Sequence, residues 1–174
     1  MPNIIRERQI ADDDWKVLVL AENETPHTVR LPVGPLLVPV AVWRARKAEL
    51  IHRNWEHGDP LGVWLAPNEG PETIVEDLDD LSVVAIHFPK FTDGRGYSTA
   101  RLLRERHGYR KELRAFGDVG RDQLFFLSRV GFDSFVVKEQ GDDLVDALAA
   151  FASFPDAYQT GTDRAVPLFR RRSA

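Results

Sequence analysis

Four short apolar runs punctuate the chain after residue 60. They are rich in Val, Ile, Leu and Phe, and Gly, Pro or Asp residues lie close to their ends. Runs of this length are too short for a typical helix and are typical of strands buried on both faces of a parallel sheet. The pattern predicts strands over residues 61–66, 82–88, 112–116 and 134–138.

Stretches with helical spacing follow these strands. Apolar side chains recur every three or four residues, and Gly or Pro stands where several stretches end. The pattern predicts helices over Ile74–Leu81 and Ser98–His107, a third helix that Asp118 caps and Gly131 ends, and a fourth that Asp142 caps and Pro155 ends. The expected fold class is therefore α/β, with four successive βα units, parallel strands and right-handed crossovers.

Two closures of the sheet fit this order of elements, a half-barrel-like sheet and an open doubly wound sheet, and the pattern does not fix the strand order. Either closure leaves apolar strand edges that a second copy could cover, so we expect a homodimer.

The N-terminal part has a different character. The runs Lys16–Ala21 and Thr28–Leu31 suggest a small β hairpin, and three prolines between residues 32 and 39 predict an extended connector. An amphipathic helix is expected over Val40–Asn54. The expected organisation is one structural domain, with an N-terminal β segment and connector (1–39), a βα-repeat region (40–155) and a C-terminal tail (156–174).

Composition narrows the function classes. The 174 residues include no Cys, which excludes disulfides, thiolate nucleophiles and Cys-ligated zinc or iron-sulfur clusters. A net charge of -4 gives no general attraction to nucleic acid, and Arg170–Arg172 is expected to be a solvated end. No run approaches the roughly 18 apolar residues of a membrane span, and charges occupy the place of a signal sequence, so we expect a cytoplasmic protein without cofactors.

The loop after the second predicted strand is the most unusual segment. Two glycines flank an arginine just before a predicted helix, an arrangement that can cradle an anion. The candidate anion-binding residues are Lys90, Asp93, Gly94, Arg95, Gly96, Ser98 and, from the next loop, Arg121. The same residues also fit a plain tight turn with Ser98 as an ordinary helix cap.

Two residues are candidates for proton transfer. His87 at the end of the second strand could act as a general base, and Asp118 could act with Asp122 as a carboxylate pair. Each has a structural alternative, packing for His87 and helix capping with solvated ion pairs for Asp118. No metal site is expected. The aromatic pairs Phe88 with Phe91 and Phe125 with Phe126 suggest either a flat pocket or, more commonly, core packing.

The segment Phe88–Ser98, with Ala100–Arg104 after it, resembles the signature of bacterial domain-of-unknown-function family 934. Further similar segments are Trp64–Leu65, Glu112–Ala115, Gly117–Val119, Arg121–Gln123, Gly131–Asp133 with Phe135, and Pro167–Arg170. The resemblance implies a gene beside that of the sulfite or nitrite reductase haemoprotein, and so a place in assimilatory sulfate reduction. The family has no established activity to transfer.

We therefore expect an accessory protein of assimilatory sulfate and sulfite reduction, which binds a small oxyanion or the sulfite reductase haemoprotein. One rival is an enzyme for a small anionic metabolite, with Lys90, Arg95 and Ser98 holding the anion and His87 or Asp118 moving a proton. A third possibility is a structural dimer whose glycine-rich loop is only a turn.

Overall fold

The computed structural model describes residues 3–138, 141–152, 160–162 and 170, and within them eight strands form one sheet that four α-helices cover. The strands are β1 (Asn3–Arg6), β2 (Gln9–Asp12), β3 (Lys16–Val17), β4 (Leu36–Pro39), β5 (Leu61–Leu65), β6 (Val83–Phe88), β7 (Glu112–Gly117) and β8 (Ser134–Phe135). The helices are α1 (Val40–His57), α2 (Arg95–Glu105), α3 (Leu124–Arg129) and α4 (Asp142–Ala149).

The strand order along the sheet is β2-β1-β8-β7-β6-β5-β4-β3. Strands β3 to β8 are parallel and neighbour one another in chain order, while β1 and β2 add an antiparallel hairpin beside β8. A doubly wound sheet reverses its strand order at a switch point. The consecutive order confirms the α/β class and gives an open, curled, half-barrel sheet.

The curl brings the two edge strands close together. Only Asp13, Asp14 and Trp15 join β2 at one edge to β3 at the other. Four Cα steps span at most about 14 Å, so the edges nearly meet, although β2 and β3 do not pair. The homodimer expected from free strand edges stays a prediction, and these edges lie near each other in the same chain.

Strands β4 to β8 are mostly buried on both faces, as predicted for parallel strands, whereas the edge strands β2 and β3 are largely exposed. The outer face packs against the helices in a large core that includes Trp43 of α1, Leu103 of α2 and Leu127 of α3. The inner face, which we define as the face turned away from the helices, has a smaller core. It consists of Leu37, Val83 and Ala85 with the half-buried rings of Trp15, Trp64 and Phe116.

A buried arginine anchors the link between β2 and β3, residues 13–15, to the inner face. Arg114 of β7 is 1% exposed, and its Nη1 donates to both carboxylate oxygens of Asp13 at 2.9 and 3.1 Å. Its Nε donates to Glu112 at 2.9 Å, and the Trp15 ring lies 5.7 Å from its Cζ. Trp64 Nε1 donates to the carbonyl of Leu18 at 2.9 Å. The N-terminal segment therefore covers the inner face.

The predicted N-terminal hairpin was wrong in position. The hairpin is β1–β2, whose two-residue turn, Glu7 and Arg8, has φ of 51° and 62° without the Gly or Asn that marks such turns. Lys16–Val17 is instead a parallel edge strand, and Thr28 lies in a turn. The end of the predicted connector, Leu36–Pro39, is the fully buried strand β4, which Pro35 precedes and Pro39 ends.

Three predicted helix features also differ. Two 3₁₀ turns, Pro71–Thr73 and Val75–Asp77, replace the acidic helix over Ile74–Leu81. Neighbouring carboxylates disfavour a helix there, and Asp77 instead accepts hydrogen bonds from Trp43 Nε1 and Lys47. Helix α2 begins three residues before Ser98. Asp118 caps no helix, because a 3₁₀ turn beginning after Gly120 precedes α3. Pro155 and most of the predicted tail lie outside the described residues.

Candidate functional site

The ends of β6 and β7 bring two loops to one rim of the sheet, which we call the carboxyl edge. Loop 89–94 leads from β6 into α2, and loop 118–120 leads from β7 towards α3. Ligands of parallel α/β proteins gather at this edge, because the following helices point free N–H groups there. Lys90, Asp93 and Gly94 lie in the first loop, and Arg95 is the first residue of α2.

An internal ion pair occupies the start of α2. Asp93 accepts hydrogen bonds from Arg95 Nε at 3.0 Å, from Arg95 Nη2 at 2.7 Å and from the Arg95 backbone N–H at 3.2 Å. Hydrogen bonding to Arg95 lowers the pKa of Asp93, so its carboxylate stays charged. The Arg95 side chain is nonetheless 61% exposed. An anion at this helix start would therefore compete with Asp93 for Arg95, in a pair that water screens.

Gly96 and Ser98 do not lie where they could help to bind an anion at the start of α2. Gly96 is buried, and a Cβ there would lie 2.6 Å from Cζ of Phe88. The glycine is thus required for close packing of α2 on β6. Ser98 lies one turn inside α2 on its exposed side, away from the free amides of the helix start. Of the candidate cations, Lys90 and Arg121 are both on the surface.

Asp118 ties together the three segments that follow β6, β7 and β8. Its Oδ2 accepts the backbone N–H of Phe91 at 2.8 Å, its other oxygen pairs with Lys138, and its own N–H donates to Phe88 O at 2.6 Å. The hydrogen bond from Lys138, with that from Phe91, lowers the pKa of Asp118. A carboxylate held in this way organises the loops and is poorly suited to give or take a proton near neutral pH.

His87 lies on the inner face at the carboxyl edge within a group of aromatic rings. Its ring stacks on Phe116 at a centroid distance of 4.9 Å and meets the edge of Trp64 at 5.9 Å. Gly117, with φ of 104°, makes room for it, since a Cβ there would lie 2.8 Å from His87 Cδ2. Among the described residues the imidazole has no hydrogen-bond partner, and desolvation lowers its pKa. A neutral imidazole is therefore available to a ligand.

The structure thus brings most of the predicted residues to one edge but divides their roles. His87, Lys90, Asp93, Arg95 and Asp118 are neighbours along the carboxyl edge. Trp64, Phe116 and Lys138 also lie at this edge and were not among the predicted site residues. The alternation of side chains along a strand shows that Trp64 and Phe116 each point to one side of the sheet. Whether the two rings come into contact depends on the register between β5, β6 and β7, which a single sequence does not reveal.

Neither a cluster of metal ligands nor a membrane-spanning helix is present in the part of the chain that the structure describes. No group of three or more His, Asp or Glu side chains there could hold a metal ion. Likewise, none of the helices over those residues combines the length and apolar character that crossing a bilayer requires.

The comparisons with known proteins agree with the resemblance noted from the sequence. The family model described as "Bacterial protein of unknown function (DUF934)" matches residues 62–169. No curated protein matches the chain. The matched range contains Trp64, His87, Lys90, Phe116 and Asp118, and it begins after the N-terminal segment that covers the inner face.

Proposed function

The chain belongs to the bacterial protein family of unknown function DUF934, and we propose that it is an accessory protein of assimilatory sulfate and sulfite reduction. In this proposal the carboxyl edge binds a small oxyanion or the sulfite reductase haemoprotein. The family resemblance suggests the pathway, and the geometry of the carboxyl edge suggests the binding role.

The observation that carries the binding role is the unbonded His87. Its ring is held between Trp64 and Phe116 and has no hydrogen-bond partner among the described residues. An imidazole N–H can donate to an oxyanion, and exposed Lys90 on the adjoining loop adds positive charge. Aromatic walls lower the local dielectric constant and so strengthen such a contact. The site therefore favours a small anion, either free or presented by a protein partner.

An enzyme acting on a small phosphate- or sulfur-oxyanion-bearing metabolite is the second candidate. The observation that favours it is again His87, whose lowered pKa leaves a neutral base at pH 7. In this mechanism Lys90 and Arg95 hold the anionic group, and His87 accepts the proton. Asp118 has no part in proton transfer, because Phe91 and Lys138 occupy its carboxylate.

Deletion of the gene tests the pathway. We expect the deletion strain to grow normally on cysteine and poorly on both sulfate and sulfite, because the defect lies at sulfite reduction. A plasmid copy of the gene restores growth, and a His87→Gln copy does not. His52→Gln is the matched control, since His52 is an exposed residue of α1 whose nearest ionic partner is Glu56. Growth restored by sulfite alone would place the function before sulfite reduction and contradict the proposal.

Affinity capture separates the two candidates. Tagged protein should retain the sulfite reductase haemoprotein from an extract of cells grown on sulfate, and His87→Gln should retain less. Turnover of a small anionic metabolite by the purified chain, with no retained reductase, would instead favour the enzyme.

A further inference from the structure

A hollow of about 580 Å³ lies between α2 and α3. It is on the outer face of the sheet, whereas His87 is on the inner face. Aromatic and apolar side chains form much of its wall, namely Phe91, Tyr97, Phe126 and Val130. The core-packing interpretation of the aromatic pairs holds for Phe88, which is 1% exposed. It was wrong for Phe91 and Phe126, which are 47% and 52% exposed. Two large rings at the surface beside a hollow suggest a ligand rather than a core.

Charged and amide side chains form the polar part of the wall. Among the described residues that line the hollow, Arg101 comes from α2, Arg129 comes from α3, and Asp122 is the acid. Arg101 donates through its Nε to Glu105, its partner among the described residues. The two Nη groups of Arg101 remain for other acceptors. Gln123 accepts the N–H of Gly120 at 3.0 Å and donates to Phe91 O at 3.2 Å, so its amide is held in place.

Tyr97 adds a hydrogen-bond donor to this wall. Burial raises the pKa of its phenol, so the hydroxyl group keeps its proton at neutral pH. The Phe88 ring supports Tyr97 from below, edge to face, at a centroid distance of 5.7 Å. The Tyr97 ring of α2 is thus supported by a buried ring of strand β6.

We propose that this hollow binds a flat aromatic ligand that carries an anionic group. Its size falls within the range of small-molecule sites, which combine apolar walls with a few polar groups. Rings can stack on Phe91 and Phe126, and Arg101 can pair with the anionic substituent. The hollow shares loop 89–94 with the carboxyl edge, through Phe91 and Gly94, but its lining includes none of the residues around His87. Binding in the hollow can therefore fail without the proposed function at His87 failing.

A pair of fluorescent probes tests both parts of the ligand. The first is 8-anilinonaphthalene-1-sulfonate, and the second, N-phenyl-1-naphthylamine, is the same ring system without the sulfonate. We expect saturable binding of both, with several-fold tighter binding of the sulfonate. Arg101→Gln should weaken the sulfonate several-fold and leave the neutral probe unchanged. The exposed Arg101–Glu105 pair adds little stability, so this variant keeps its fold.

Removing the two exposed rings tests the apolar wall. Phe91→Ala with Phe126→Ala should weaken both probes about tenfold or more, since both exposed rings of the apolar wall are removed. The matched control is Leu102→Ala with Val145→Ala, because these residues are 40% and 58% exposed and lie outside the hollow. Circular dichroism checks the fold of each variant.

Three results would overturn the proposal: no saturable binding, equal loss of both probes in Arg101→Gln, or unchanged binding in the ring variant. Amide chemical shifts locate the probe, and we expect changes at Tyr97 and Gln123. Shifts concentrated at His87 and Phe116 would place the probe at the aromatic group around His87 and contradict binding in the hollow.

Discussion

Arg114→Met should lower the free energy of unfolding by about 3–5 kcal/mol, which is the usual cost of removing one partner from a buried ion pair. Arg114 is 1% exposed, and it neutralises two carboxylates that are themselves mostly buried, Asp13 and Glu112. Without the guanidinium, both acids remain on the inner face with no countercharge from β7. The variant should also release the N-terminal link, since Asp13 and Trp15 both contact Arg114.

Urea denaturation followed by circular dichroism measures this loss. Asp13→Ala should cost less than Arg114→Met, because Arg114 keeps Glu112 as a partner. Arg101→Met is the matched control and should stay within about 0.5 kcal/mol of the parent, as expected for an exposed helical pair. A loss below about 1 kcal/mol for Arg114→Met would show that the pair is weak and that other contacts hold the N-terminal segment.

Arg104→Met is expected to destabilise the protein by a similar amount, about 3–5 kcal/mol. Arg104 of α2 is 8% exposed and donates to the carbonyls of Tyr109, Lys111 and Gly131, each at 2.8 Å. Its Nη2 also pairs with Asp133 at 2.7 Å. The substitution leaves three carbonyl groups and one carboxylate without their donor, and buried groups of this kind are costly.

The pH dependence of this variant distinguishes lost charge pairing from lost packing. Burial raises the pKa of Asp133 even in the parent. A carboxyl group with a raised folded-state pKa binds its proton more readily when folded, so its contribution to stability falls as pH rises through that range. Loss of Arg104 raises the pKa of Asp133 further. The difference in unfolding free energy between parent and variant should therefore be larger at about pH 7 than at about pH 4. An equal difference at both pH values would indicate lost packing alone.

Much of the βα region could be predicted because its strands are buried on both faces. Val83–Phe88 is a continuous apolar run, and such a run has few alternatives to a central parallel strand. Its neighbours β5 and β7 follow the same rule, and the predicted starts agree with the observed ones to within one residue.

The N-terminal strands could not be predicted, for two physical reasons. Glu7 and Arg8 adopt the left-handed region that the two-residue turn of the β1–β2 hairpin requires, and neither is a residue type that marks such a turn. Strand β4 is only four residues long and ends in Pro39, so its prolines suggested a connector. It is a strand because β3 and β5 pair with it on either side.

The candidate site could be predicted only as far as its loops. The position of loop 89–94 at the carboxyl edge follows from the parallel strands alone. The roles within it depend on partners distant in sequence. The Phe88 ring leaves room only for a glycine at position 96, and Phe91 and Lys138 occupy the carboxylate of Asp118. A single sequence contains the residue types but not these pairings.

The pKa of His87, followed by NMR with and without sulfate, tests the central claim that the carboxyl edge binds an oxyanion at this imidazole. Without sulfate, the pKa of His87 should lie below its ordinary value of 6.5, because the ring is desolvated. Saturating sulfate should raise it, since a nearby anion favours the protonated imidazole. Chloride at the same ionic strength should have a smaller effect, and Lys90→Ala should weaken the response to sulfate. An identical His87 pKa in sulfate and in chloride would contradict the account.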